Sequence, residues 1–365
     1  MITSALVATL VASLTLLHLA TAAFAARRYL PGRPKQPAHR PFITLLRPVC
    51  GLDRFDGETL ESSFHLTYPS YEIIFCVAQD ADPACAALRG MIARHPGVRA
   101  RLLIGNDAVT GNPKLNNLVK GWAMAEGSHI AMADANLLLP PDYLDRLLEA
   151  WTPDCGLVTS PPAGLRPGNL WGAVECAFLN GFQARWQLAA DSAGHGFAQG
   201  KTLFVEKAWL DAAGGLAALG RNLAEDVAFT KLVREAGRKV RLTRQVFSQP
   251  VGQRRLRAVW DRQLRWSRVR RDGFPLLFLP EILLGVLPPA LLLAGLAPGA
   301  VLPFLALWYG VELALSRLAG WPAGPRDLAA MVLRDLMLPA LWLTTWARRG
   351  FDWRGTAMEV AHDPA

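Results

Sequence analysis

His129-Ile-Ala-Met-Ala-Asp-Ala-Asn136 is a short, apolar, β-rich run that closes on a carboxylate and an amide. Three runs of the same kind precede it: Ile43-Thr-Leu-Leu46, Glu72-Ile-Ile-Phe-Cys-Val77 and Arg101-Leu-Leu-Ile104. Helical patterns around 84–94 and 115–126 lie between them. Strands alternating with helices predict a mostly parallel sheet covered on both faces, in an α/β domain over 42–250. In such sheets ligands bind outside the carboxyl ends of the strands. Gln79-Asp-Ala-Asp-Pro83 and Asp134-Ala-Asn136 occupy two of those ends. Asp and Asn also serve ordinary turns. Two carboxylate clusters at corresponding strand ends, however, suit a divalent cation and a nucleotide.

Around this domain the chain turns apolar. Its 365 residues leave room for two domains, or for one domain and membrane segments. It is 52% hydrophobic and only 19% charged, which excludes overall disorder. Residues 1–26 carry no charged side chain, and Arg27 and Arg28 close the run. That length suffices to span a bilayer. A signal peptide carries its positive charge ahead of the apolar core. Here the order is reversed, so the segment reads as a retained anchor with residue 27 onward in the cytoplasm, which in a bacterium means the inner membrane. A basic linker, 27–41, contains Arg33, Lys35 and Arg40.

A second apolar zone covers 274–348. Residues 274–316 are long enough for two spans, broken near Pro298-Gly299 and kinked in the first by Pro288-Pro289. The stretch 328–346 carries Arg334 and Asp335, so it packs inward or re-enters. The tail, 349–365, is expected to lack structure after about residue 357. The net charge of +9 is concentrated beside the apolar runs, as in Arg254, Arg255, Arg257, Arg262, Arg265, Arg268, Arg270 and Arg271. This placement points to a membrane surface, and no nucleic-acid motif is present. Cys50, Cys76, Cys85, Cys155 and Cys176 stand at no metal-ligand spacing and read as reduced thiols.

Three motifs carry further chemistry. Gly111-Asn-Pro-Lys-Leu-Asn-Asn117 places Lys114 at the opening of a helix, where an ammonium can neutralise a diphosphate. Leu223-Ala-Glu-Asp-Val-Ala-Phe229 starts an amphipathic helix with two carboxylates, and Asp226 is a candidate general base. Trp260-Asp-Arg-Gln-Leu-Arg-Trp-Ser-Arg268 puts Arg262 and Arg265 on one helical face, inside an interfacial helix over 251–273. His195 lies in a glycine-rich loop, and Glu175 and Cys176 read as helix packing.

Taken in order, these pieces resemble the membrane-associated family 2 glycosyltransferases of the GT-A fold, in particular their ceramide-glucosylating branch. Further matches are Leu46-Arg-Pro-Val-Cys-Gly-Leu-Asp53, Tyr68-Pro-Ser-Tyr-Glu72, Ala100-Arg-Leu-Leu-Ile-Gly105, Asn112-Pro-Lys-Leu-Asn-Asn-Leu118 and Trp353-Arg354. The resemblance implies a GT-A (Rossmann-like) catalytic domain on the cytoplasmic side, with an N-terminal anchor and C-terminal transmembrane helices. It implies transfer of glucose from UDP-glucose to the primary hydroxyl of ceramide, with inversion. It assigns Asp82 to the uridine, with Asp80 as the neighbouring alternative, Lys114 to the nucleotide and Asp134 to the diphosphate and its metal. It makes Asp226 the base and places Arg262, Arg265 and Trp266 on the acceptor and leaving-group side. Asn136 stands where the family has a second carboxylate. Its oxygen can still ligate Mg²⁺ or Mn²⁺, without charge. A hopanoid N-acetylglucosaminyltransferase branch carries similar aspartates and is the alternative. A non-catalytic membrane adaptor is the remote one.

Overall fold

The structure, a computed structural model, describes residues 2–32, 39–222, 224–347, 350–353 and 356–358. Arg33 and Lys35 of the linker, Leu223, Arg348, Arg349, Arg354 and residues 359–365 of the tail lie outside the described residues. The chain divides into two compact units. One is built on Gly32–Pro162 and Ala193–Pro250, the other on Met1–Pro31, Ala163–Ser192 and Val251–Ala357.

The first unit is a seven-stranded sheet: β1 (Ile43–Val49), β2 (Tyr71–Val77), β3 (Ala100–Ile104), β4 (His129–Ala133), β5 (Cys155–Thr159), β6 (Thr202–Glu206) and β7 (Lys239–Leu242). The spatial order is β3-β2-β1-β4-β6-β5-β7. Neighbours run parallel except at β6, which is antiparallel to both β4 and β5. Alternate side chains feed two cores. Leu45, Ile73 and Phe75 pack with Leu88 of the helix Ala84–Arg94 on one face. Leu46 and Ile74 pack on the other with Leu115, Leu118 and Trp122 of the helix Pro113–Met124 and with Phe229 of the helix Glu225–Glu235. Burial on both faces explains why the central strands read as unbroken apolar runs. The four expected strands and both expected helices are present.

The second unit is helical. Ser4–Arg27, Pro298–Leu318 and Pro325–Thr345 are long and apolar enough to cross a membrane, and a fourth span is possible if Pro275–Leu283 and Leu287–Leu296, bent by 45°, count as one. The bend falls just ahead of Pro288-Pro289, which open the second piece, where a proline needs no hydrogen bond. The expected break near Pro298-Gly299 separates that piece from the helix Val301–Leu318.

Arg334 and Asp335 do pack inward, 2% and 1% exposed. Arg334 forks onto Glu312 at 2.9 and 3.0 Å, and the Tyr309 hydroxyl donates to Asp335 at 3.1 Å. A Cβ at Gly181 would stand 2.5 Å from the Arg334 guanidinium, so glycine makes room for this pair. His18 of the anchor helix stacks on Trp308, ring centroids 3.7 Å apart, which ties the anchor into the same bundle.

The sequence reading treats 42–250 as one unbroken domain. In the structure Ala163–Ser192 belongs to the helical unit instead. The reason is its apolar face: Val174, Phe178 and Phe182 share a core with Val259, Phe304 and Met331. In the expected tail, Phe351–Trp353 and Thr356–Met358 are short strands.

Candidate active site

Asn112 caps the helix Pro113–Met124, accepting the Lys114 amide at 2.9 Å, and Pro113 takes the first helical position. Asn116 closes the preceding turn onto Thr110, and Asn117 donates to the Cys76 carbonyl at the end of β2 at 2.8 Å. The Asn-Pro-Lys-Leu-Asn-Asn run is therefore a device that locks one helix end against the carboxyl edge of the sheet. Lys114 is thereby aimed at the end of β4. Its ammonium lies 2.7 Å from Asp134 Oδ1, 2.7 Å from Glu225 Oε1 and 2.7 Å from the Gly200 carbonyl.

Because β6 runs antiparallel to β4, with Ala133 opposite Thr202, the entry to β6 returns to this same edge. It brings Lys201, whose ammonium is 2.8 Å from Asp134 Oδ2 and 3.0 Å from Asn136 Oδ1. Burial works against the Asp134 charge, but the two lysines hold its carboxyl well below the usual range. Burial likewise opposes the Lys114 ammonium, and Asp134 and Glu225 outweigh it, raising its pKa.

Asp226 sits one residue beyond Glu225 at the start of its helix. Its carboxylate accepts the Gly200 amide at 3.1 Å and the Val227 amide at 2.8 Å. Burial, and then the Glu225 charge, push its pKa up to about 6. A carboxylate poised there is ionised near neutrality yet basic enough to take a proton. Gly200 touches the whole group, for a Cβ on it would stand 2.8 Å from Glu225 Oε1.

Beneath the loop Asp134-Ala-Asn136 lies Arg47 of β1, fully buried. It donates to the carbonyls of Thr59, Asp134, Ala135 and Leu137 and to the Ser63 hydroxyl. The loop that presents Asp134 and Asn136 is thus pinned from below.

The structure gathers Lys114, Asp134, Asn136 and Asp226 at one edge and adds Lys201, Glu225, Gly200 and Arg47, which sequence reasoning missed as site residues. Asp82 lies two strands away at the same edge. It accepts the Gly51 amide after β1 at 2.8 Å and the Ala84 amide at 2.8 Å, joining two loops there. Asp80 points to solvent and pairs with Arg89 at 2.7 Å.

Arg262, Arg265 and Trp266 belong to the helix Leu256–Gly273 of the helical unit. Arg262 pairs with buried Glu175 at 2.8 Å, so Glu175 is a charge partner rather than mere packing. Trp266 packs on Cys176, Leu179 and Val251, and Arg265 is half-buried. His195 is exposed on the loop leading to Gly200. None of the five cysteines is in a disulfide.

The Asp134 carboxylate and the Asn136 carbonyl oxygen converge on one cation, here the Lys201 ammonium. Two hard oxygens already closed around a positive charge fit a divalent ion such as Mg²⁺ or Mn²⁺.

Comparison with known proteins shows the family and the fold. The family model described as "Glycosyl transferase family 21" matches residues 2–365. Ceramide glucosyltransferase 3 of Caenorhabditis elegans is 24% identical over 95% of this chain and 79% of its own length. Ceramide glucosyltransferase 1 of the same organism is 27% identical over 70% of this chain and 55% of its own. Among solved structures, a mannosyltransferase from Pyrobaculum calidifontis, in complex with GDP-Man and Mn²⁺, superposes with a TM-score of 0.54 at 17% identity. It covers 90% of this chain and 99% of that one, which is a likeness of fold.

Proposed function

The chain belongs to glycosyl transferase family 21 and is a sugar-nucleotide-dependent transferase; from that premise we propose that it moves glucose from UDP-glucose to the primary hydroxyl of ceramide, inverting the anomeric centre, at the cytoplasmic face of a membrane. The observation that carries this reading is the pairing of lysine ammoniums on Asp134 with a basic, half-buried Asp226 at the same sheet edge. The names of its relatives support the acceptor, and the three long apolar helices support a lipid setting.

In the proposed step Asp226 accepts the proton of the acceptor hydroxyl. The hydroxyl oxygen bonds to the anomeric carbon from the face opposite the diphosphate. The bond from that carbon to the phosphate oxygen breaks, and UDP leaves with the electron pair. A single displacement of this kind yields a β-glucoside. Lys114, turned from Asp134 to the incoming diphosphate while still held by Glu225, neutralises charge as it develops on the leaving group. A divalent cation held by Asp134 and Asn136 would add Lewis-acid neutralisation of the same diphosphate. Asp82 contacts the uridine, and Arg262, Arg265 and Trp266 serve the acceptor and leaving-group side.

The test is a screen of detergent-purified protein with UDP-glucose, UDP-galactose, UDP-N-acetylglucosamine and UDP-glucuronate against ceramide, diacylglycerol and bacteriohopanetetrol, read by mass spectrometry. Hexosyl-ceramide from UDP-glucose is expected. N-acetylglucosaminyl-hopanoid as the only product would replace the substrates, and no transfer with any pair would favour an adaptor.

A further inference from the structure

Lys114 and Lys201 meet opposite oxygens of one carboxylate, Asp134, at 2.7 and 2.8 Å. Lys201 also reaches Asn136 at 3.0 Å. Its ammonium therefore sits at the point on which the two metal-ligand candidates converge. We propose that Lys201 is a built-in cation: it holds the Asp134–Asn136 pair in the resting protein, and a divalent cation and the donor diphosphate together expel it, the ammonium passing to a phosphate oxygen. This inference rests on the metal reading given above.

The argument is one of charge. In the resting cluster Lys114 and Lys201 are balanced by Asp134 and Glu225. A divalent cation entering alone must displace an ammonium and leaves a surplus of positive charge in a half-buried site. A doubly anionic diphosphate entering alone leaves the opposite surplus. The two entering together leave the charge of the site as it was. Metal and nucleotide should therefore raise each other's affinity, and by the same factor.

The backbone of Lys201 is fixed, its amide on Gln199 Oε1 at 2.9 Å and its carbonyl accepting the Asp134 amide at 3.1 Å. Only the flexible four-carbon stem has to turn. The role differs from that of Lys114, which also binds Glu225 and the Gly200 carbonyl and so keeps two partners when Asp134 is taken.

The experiment measures Mn²⁺ binding to the full chain in detergent by electron paramagnetic resonance, with and without UDP. The proteins are the wild type, Lys201→Met, Lys201→Gln and Asp134→Asn. Wild type should bind Mn²⁺ weakly alone and more tightly with UDP. Both Lys201 variants should bind Mn²⁺ alone about tenfold tighter or more, because a charge of like sign has gone from ion-pair distance, and UDP should then add less. Lys201 variants that bind Mn²⁺ no tighter than wild type overturn the inference while leaving the metal site standing. Asp134→Asn binding Mn²⁺ as wild type does, or no binding by any protein with UDP, overturns the metal reading and this inference with it.

Discussion

The guanidinium of Arg47, in the middle of β1, donates to the main-chain carbonyl of Asp134 at 2.8 Å, so a buried charge in the core sets the position of the carboxylate at the sheet edge. Its other partners are three more carbonyls and a hydroxyl. Arg47→Met should leave these carbonyls unsatisfied at about 1–3 kcal/mol each, and lower stability by about 3 kcal/mol or more. Thermal unfolding in detergent checks the loss, and a transition unchanged from wild type would deny Arg47 this role.

Gly200 is hemmed in by the carboxylates of Glu225 and Asp226, 2.8 and 3.6 Å from where a Cβ would stand. Gly200→Ala should push Glu225 off Lys114 and lower kcat/KM about tenfold or more, a barrier change of about 1.4 kcal/mol. Steady-state kinetics at saturating acceptor would show it, and full activity would mean the contact is dispensable.

Asp226 must be ionised to take a proton, and burial and Glu225 raise its pKa to about 6. The working form is therefore lost as pH falls through about 6. Below that value kcat/KM should drop about tenfold per pH unit, and above it level off. A profile flat down to pH 5 would assign the base elsewhere.

Glu312 balances Arg334 and Arg185 inside the helical unit, at 2.9 and 3.4 Å. Glu312→Leu takes the carboxylate from buried Arg185 and leaves Arg334 with Asp335 alone, and a broken buried pair costs about 3–5 kcal/mol. A lower melting temperature of the detergent-solubilised protein is expected. An unchanged one would show the guanidiniums finding other partners.

Much of this was legible in the sequence because parallel strands announce their own binding edge. Asp134, Asn136 and Asp82 each follow an apolar run, and Lys114 and Asp226 each open a helix. Lys201 escaped that logic for a topological reason. It precedes its strand, and only the antiparallel course of β6 turns a residue before a strand into one at the carboxyl edge. Arg47 escaped because an arginine inside a strand reads as exposed, whereas five acceptors from distant segments surround it. Glu175 read as packing because its partner, Arg262, lies 87 positions on. The charge pair in the helix Pro325–Thr345 signalled inward packing correctly, since only a partner such as Glu312 makes it tolerable in an apolar setting.

The most direct measurement compares wild type with Asp226→Asn on UDP-glucose and ceramide in detergent micelles, following the rate and the anomeric proton of the product by nuclear magnetic resonance, with UDP binding measured in parallel. Wild type should give only β-glucosylceramide, and Asp226→Asn should be slower by about 10²- to 10⁴-fold while still binding UDP. An α-linked product, or a folded Asp226→Asn with undiminished turnover, would contradict single-step inversion with Asp226 as the base.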